Sequence, residues 1–88
     1  MNWHVGDEID VENLPRQLTL MGYVREEMVA KPGEFSIRGS IVDIYPLTTN
    51  YPIRVELFDV EIDSMRYFEA ETQRSIEKNG RNLGFSNE

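Results

Sequence analysis

The chain has 88 residues, 40% apolar and 28% charged, with nine Lys and Arg against sixteen Asp and Glu for a net charge of −7. That length holds one small domain with a single core, burying about 60–65% of the unfolded surface. The acidic balance works against phosphate binding, while the absence of cysteine excludes disulfides and thiolate metal sites and leaves His4 as the only histidine.

In chain order, Met1 to His4 offers neither a basic start nor an apolar segment, so no signal peptide is expected. No apolar run approaches the about 20 residues of a spanning helix, and a cytoplasmic setting is the expectation. From Asp10 to Gly22 the residues Val11, Leu14, Leu18 and Met21 recur at three- and four-residue steps, which predicts a helix. Asp10 or Asn13 can cap it. Pro15 is harmless in a first turn begun at Asn13 but costs a backbone bond in a helix begun at Asp10, and Gly22 supplies a left-handed stop.

The period then changes to two. Val24–Val29, Glu34–Arg38, Ile41–Tyr45, Ile53–Phe58 and Ile62–Phe68 read as strands between Gly, Pro, Asn and Asp breaks. The expected fold class is α+β: a small, mainly antiparallel sheet of about five strands with one N-terminal helix packed on it. Lys31-Pro32-Gly33-Glu34 is turn chemistry, and Gly39-Ser40 has the composition of a two-residue hairpin loop. A hairpin there pairs Phe35 with Ile44 and Ile37 with Val42, leaving Ser36, Arg38 and Asp43 on the other face; a bulged continuous strand gives similar parity. Alternation stops at Lys78-Asn79-Gly80-Arg81-Asn82, dividing the chain into a module of residues 1–77 and a flexible tail of residues 78–88.

Candidate chemistry is sparse. Asp59, Glu61 and Asp63 alternate on one strand face, as an oxygen-ligated cation site requires, but the spacing fits no calcium loop and a solvated face is the ordinary reading. Asp59 also suits a turn. No Ser-His-Asp set, glycine-rich phosphate loop or Walker lysine occurs, so no catalytic residue and no cofactor are expected. The informative strand is Pro52 to Phe58, where Ile53, Val55 and Leu57 take core-facing parity and Arg54, Glu56 and Phe58 the opposite one. Phe58 there either folds over the sheet edge or the helix, or stands beside Arg54 as an interface anchor. Arg38 shares that side in the hairpin reading, free or paired with Asp43 or Glu56. Seven of the nine basic residues are Arg, the type suited to planar carboxylate pairing at interfaces.

Several short motifs recur in a familiar order: Leu20-Met21-Gly22-Tyr23-Val24-Arg25, Pro32-Gly33-Glu34-Phe35-Ser36-Ile37-Arg38-Gly39, Ile41-Val42-Asp43-Ile44-Tyr45-Pro46 and Arg54-Val55-Glu56-Leu57-Phe58-Asp59. Together they resemble, over Ile9 to Glu77, the UvrA-binding module shared by the excision-repair helicase UvrB and the bacterial transcription-repair coupling factors (Mfd). The stretch Glu61 to Phe68 followed by Thr72-Gln73-Arg74-Ser75 looks like the coupling-factor branch, since UvrB tends to carry a second Arg where this chain has Ser36. Ser40 stands where the family frequently has Gly. The resemblance implies a recruitment domain of a larger ATP-dependent DNA translocase, docking UvrA in transcription-coupled repair and masked in the parent by a C-terminal domain. The family's partner contacts fall on Arg38, Arg54 and Phe58, with a further UvrB contact arginine falling on Arg25. Two other readings stay open: the corresponding domain of UvrB itself, and a small acidic metal-binding domain using Asp59, Glu61 and Asp63.

Lacking a phosphate loop and carrying net negative charge, the isolated chain is expected to hydrolyse no ATP and to show no duplex-DNA affinity at physiological salt. Phosphate release and filter binding check both; turnover that copurifies with the chain would contradict the binding-module reading.

Overall fold

Pro15 sets where the helix begins. In the computed structural model, which describes residues 3–76, helix α1 spans Leu14–Leu20 with Asn13 at the cap position and Pro15 in its first turn. The Asn13 side chain does not cap the helix; its Nδ2 donates instead to Asp10 Oδ2 at 2.7 Å. Gly22, with φ +96°, ends the helix, and the Tyr23 N–H donates to the Leu18 carbonyl at 3.0 Å across that left-handed residue. Leu14 and Leu18 are buried, whereas Met21 lies past the last helical turn and is exposed.

The strands are β1 Val24–Arg25, β2 Glu34–Arg38, β3 Ile41–Ile44, β4 Ile53–Phe58 and β5 Glu61–Tyr67, forming one sheet in the order β1-β2-β3-β4-β5. Among the described strands only the β1–β2 pair is parallel, so the α+β, mainly antiparallel fold is the one expected. The β2–β3 hairpin pairs Phe35 with Ile44 and Ile37 with Val42, and the bulged alternative is set aside. Gly39 takes φ +57° while Ser40 stays out of the positive region, the sign pattern of a II′ turn, which is why serine is tolerated at position 40. A bulge lies between Glu56 and Leu57, and Asp59, at φ +60°, turns β4 into β5 with Phe58 opposite Glu61.

β1 is shorter than the Val24–Val29 strand expected. The Glu26 N–H still bonds the Phe35 carbonyl at 2.8 Å, but beyond it the chain leaves the ladder. Ser36 Oγ donates to the Glu27 carbonyl at 3.0 Å, and Glu34 Oε1 accepts the Ala30 and Lys31 N–H groups at 2.8 and 3.2 Å. These bonds tie residues 27–31 to side chains of β2, which have replaced strand pairing as the partners of this backbone.

One continuous core joins Ile9, Leu14 and Leu18 to Phe35, Val42, Ile44, Val55, Leu57 and Ile62 on the helix-facing side of the sheet. Val29 and Phe68 are also buried, outside that cluster. The module boundary at Glu77 and the expected tail, residues 78–88, lie outside the described residues.

Val55→Asp places an unpaired carboxylate at a position 1% exposed, a cost larger than the few kcal/mol that stabilise a domain of this size. Circular dichroism is expected to show no cooperative melt for it, and only a lowered melting temperature for Ile37→Asp, at a half-buried position. A wild-type melt for Val55→Asp would invert the assignment of faces.

Candidate protein interface

Pairing of the strands lays out the second face of the sheet in rows. Ser36, Asp43, Arg54 and Arg66 form one row across β2 to β5; Arg38, Ile41, Glu56 and Ser64 form the next, toward the hairpin ends. The Leu57 N–H donates to the Ser40 carbonyl at 2.8 Å, which ties the β2–β3 turn to the end of β4 and brings Arg38 and Phe58 to the same end of the sheet.

Asp43 occupies the middle of this face and is 1% exposed. Arg54 grips it as a fork, Nε to Oδ1 and Nη2 to Oδ2, both at 2.9 Å, and Arg38 Nη2 lies 4.0 Å from Oδ2. Arg54 Nη2 also donates to Gln73 Oε1 at 2.9 Å, and the guanidinium lies 4.4 Å from the centre of the buried Phe68 ring. Gln73, at φ +63°, is held in turn by its Nε2 bond to the Ala70 carbonyl. The hydrogen bond to Asp43 raises the Arg54 guanidinium above its ordinary value against the opposing effect of burial, with added attraction from Asp43 and Glu56. That stabilisation is complete below arginine's ordinary pKa and is lost only as pH rises through the elevated one. Beside this cluster Arg66 pairs with Glu56.

The four expected contact residues thus fall into different situations. Phe58 and Arg54 do share the polar parity, but the face is roofed at its centre by Phe68 and the segment carrying Gln73, and the Arg54 side chain is only 16% exposed. Arg38 has the Asp43 partner foreseen as its alternative, yet its side chain remains 54% exposed. Phe58 is 76% exposed and folds over neither the sheet edge nor the helix. Arg25 stands apart from the Asp43 cluster, exposed on β1, where it lines a groove with Arg38, Ser36 and Met28. Ser36, the position of the second UvrB arginine, is buried and committed to Glu27.

Ile41 joins this face unannounced. It is half-buried in the register row between Arg38 and Glu56, and counting back two from Asp43 places it on that face. Gln73 stood in the sequence only within the Thr72-Gln73-Arg74-Ser75 motif, and nothing periodic marked it as a partner of Arg54. Among the described residues, no group of three or more His, Cys, Asp or Glu side chains gathers to hold a metal, so Asp59, Glu61 and Asp63 are not brought together as a site. Among the described residues, no helix is long and apolar enough to cross a membrane.

The UvrB interaction domain family matches this chain over residues 1–82. The transcription-repair-coupling factor of Bacillus subtilis (strain 168) is 56% identical over 73 residues, covering 83% of this chain and 6% of the relative. That of Staphylococcus aureus (strain USA300) is 56% identical over 75 residues, covering 85% and 6%, and that of Staphylococcus haemolyticus (strain JCSC1435) 56% over 71 residues, covering 81% and 6%. The chain therefore spans 6% of the length of the curated relatives it matches.

Arg54→Ala leaves the Asp43 charge buried with only the distant Arg38 to offset it, and is expected to cost about 3 kcal/mol. Arg38→Ala and Phe58→Ala, at exposed positions, should each cost no more than about 1 kcal/mol. Thermal and urea melts of the three variants check this ordering, and equal melting temperatures for Arg54→Ala and Phe58→Ala would contradict it.

Proposed function

Since the chain belongs to the UvrB interaction domain family, we propose that it is a non-catalytic docking module that recruits UvrA in transcription-coupled excision repair. The observation that carries this reading is the open end of the second face, where the exposed Phe58 and the half-free Arg38 stand at one end of the sheet with Ile41 in Arg38's row. An uncovered aromatic supplies apolar contact area at low entropic cost, and an arginine beside it supplies planar donors, the pairing that anchors protein interfaces. The ion pairs among Arg38, Arg54, Arg66, Asp43 and Glu56 leave one positive charge in excess on an otherwise acidic chain. That excess favours an acidic patch on the partner.

In this reading Arg38 and Phe58 make the central contact, Arg54 contributes its exposed edge, and Arg25 extends the surface along the groove toward β1. The identity with coupling factors favours that parent over UvrB. The parent's translocase activity then resides in other parts of the parent protein, and its C-terminal domain covers the Arg38–Phe58 face until UvrA is needed.

Calorimetric titration of UvrA into the chain tests the proposal. Phe58→Ala and Arg38→Ala are each expected to weaken binding about thirty-fold, the loss of a central anchor, and Arg25→Ala by only a few-fold, as about a rim charge does. Unchanged affinity in both Phe58→Ala and Arg38→Ala would remove the site.

A further inference from the structure

Asp43 is buried at the centre of the docking face and touches no partner in the reading above. Each of its two oxygens accepts one bond from the Arg54 fork, which with the Phe68 ring and the Gln73 oxygen leaves that guanidinium a single orientation. The remaining capacity of Oδ2 is directed at Arg38, 4.0 Å away, whose side chain is otherwise in solvent. Arg25, exposed on β1, has no such anchor among the described residues and serves as the comparison.

We infer that Asp43 is a positioning residue for partner docking: by holding Arg54 rigidly and Arg38 loosely, it sets the geometry of the docking arginines before UvrA arrives. The inference rests on the docking reading above. An arginine already ordered loses less freedom on binding, so its contact is retained longer once made. Two consequences of removing the Asp43 charge have opposite signs. The face becomes more positive, which by itself speeds association with an acidic partner. Arg38 and Arg54 lose their anchor, which speeds dissociation. Positioning requires the second to win.

The test combines binding rates with the side-chain relaxation of arginine Nε–Hε groups measured by NMR. Asp43→Asn keeps the side-chain shape and is expected to dissociate from UvrA about ten-fold faster with association unchanged or faster. On an Arg38→Ala background the same substitution should speed dissociation by less than it does in the wild-type chain, because only the part that acts through Arg54 is left. In the wild-type chain the Arg38 Nε–Hε vector should be more ordered than that of Arg25, and in Asp43→Asn the difference should vanish. Wild-type or tighter UvrA binding by Asp43→Asn overturns the positioning role. So does equal mobility of Arg38 and Arg25 in the wild-type chain, a result that needs no variant to fold. Undiminished affinity in both Arg38→Ala and Phe58→Ala removes the docking reading itself, and is told apart because the wild-type relaxation difference would still be present.

Discussion

A carboxylate at the middle of β3 with almost no access to water is the constraint around which the second face of this sheet is organised. Asp43 must be neutralised locally, and only β4 offers a planar cation opposite it, at Arg54. A slip of one residue between β3 and β4 would turn Asp43 into the apolar cluster on the helix side and strand Arg54 from it. The pair therefore fixes the same register that the apolar pairs Val42–Val55 and Ile44–Ile53 fix from the other side. Two independent criteria select one alignment of the central strands.

The fork also explains the division of this face into two zones. Phe68 and Gln73 close over Arg54, and the bonds from Ser36 and Glu34 bring residues 27–31 against β2, so the centre of the face is covered. Among the described residues the hairpin end has no such cover, and there Arg38 and Phe58 remain exposed. A small domain thus combines a buried ionic centre with an open aromatic and cationic end. The helix-side core carries the hydrophobic stabilisation for both.

Much of this was legible from alternation alone. Phe35, Ile37, Val42 and Ile44 were paired correctly because a two-residue turn at Gly39-Ser40 leaves one register that gathers all four apolar side chains. The shared face of Arg38, Arg54 and Phe58 followed from the same parity. Parity states which way a side chain points and says nothing of what lies above it, which is why Arg54 read as an outward arginine and proved to be roofed. The covering segments, residues 27–31 and 68–76, carry no period of their own; side-chain bonds from Ser36, Glu34 and Arg54 place them. For the same reason β1 ends at Arg25 and not at Val29. At the site, the motifs singled out the exposed Arg38, Phe58 and Arg25 together with the covered Arg54, while Asp43 was foreseen only as a partner for Arg38 and Gln73 only as part of a family motif.

The central claim is that UvrA docks on the open hairpin end of the second face, over a preorganised ionic centre. Amide hydrogen exchange of the chain, alone and in complex with UvrA, addresses it most directly. The account predicts added protection at residues 38–41 and 58–61, the two turns at that end, with little change along α1. Protection confined to α1, leaving both turns as they are in the free chain, would contradict it.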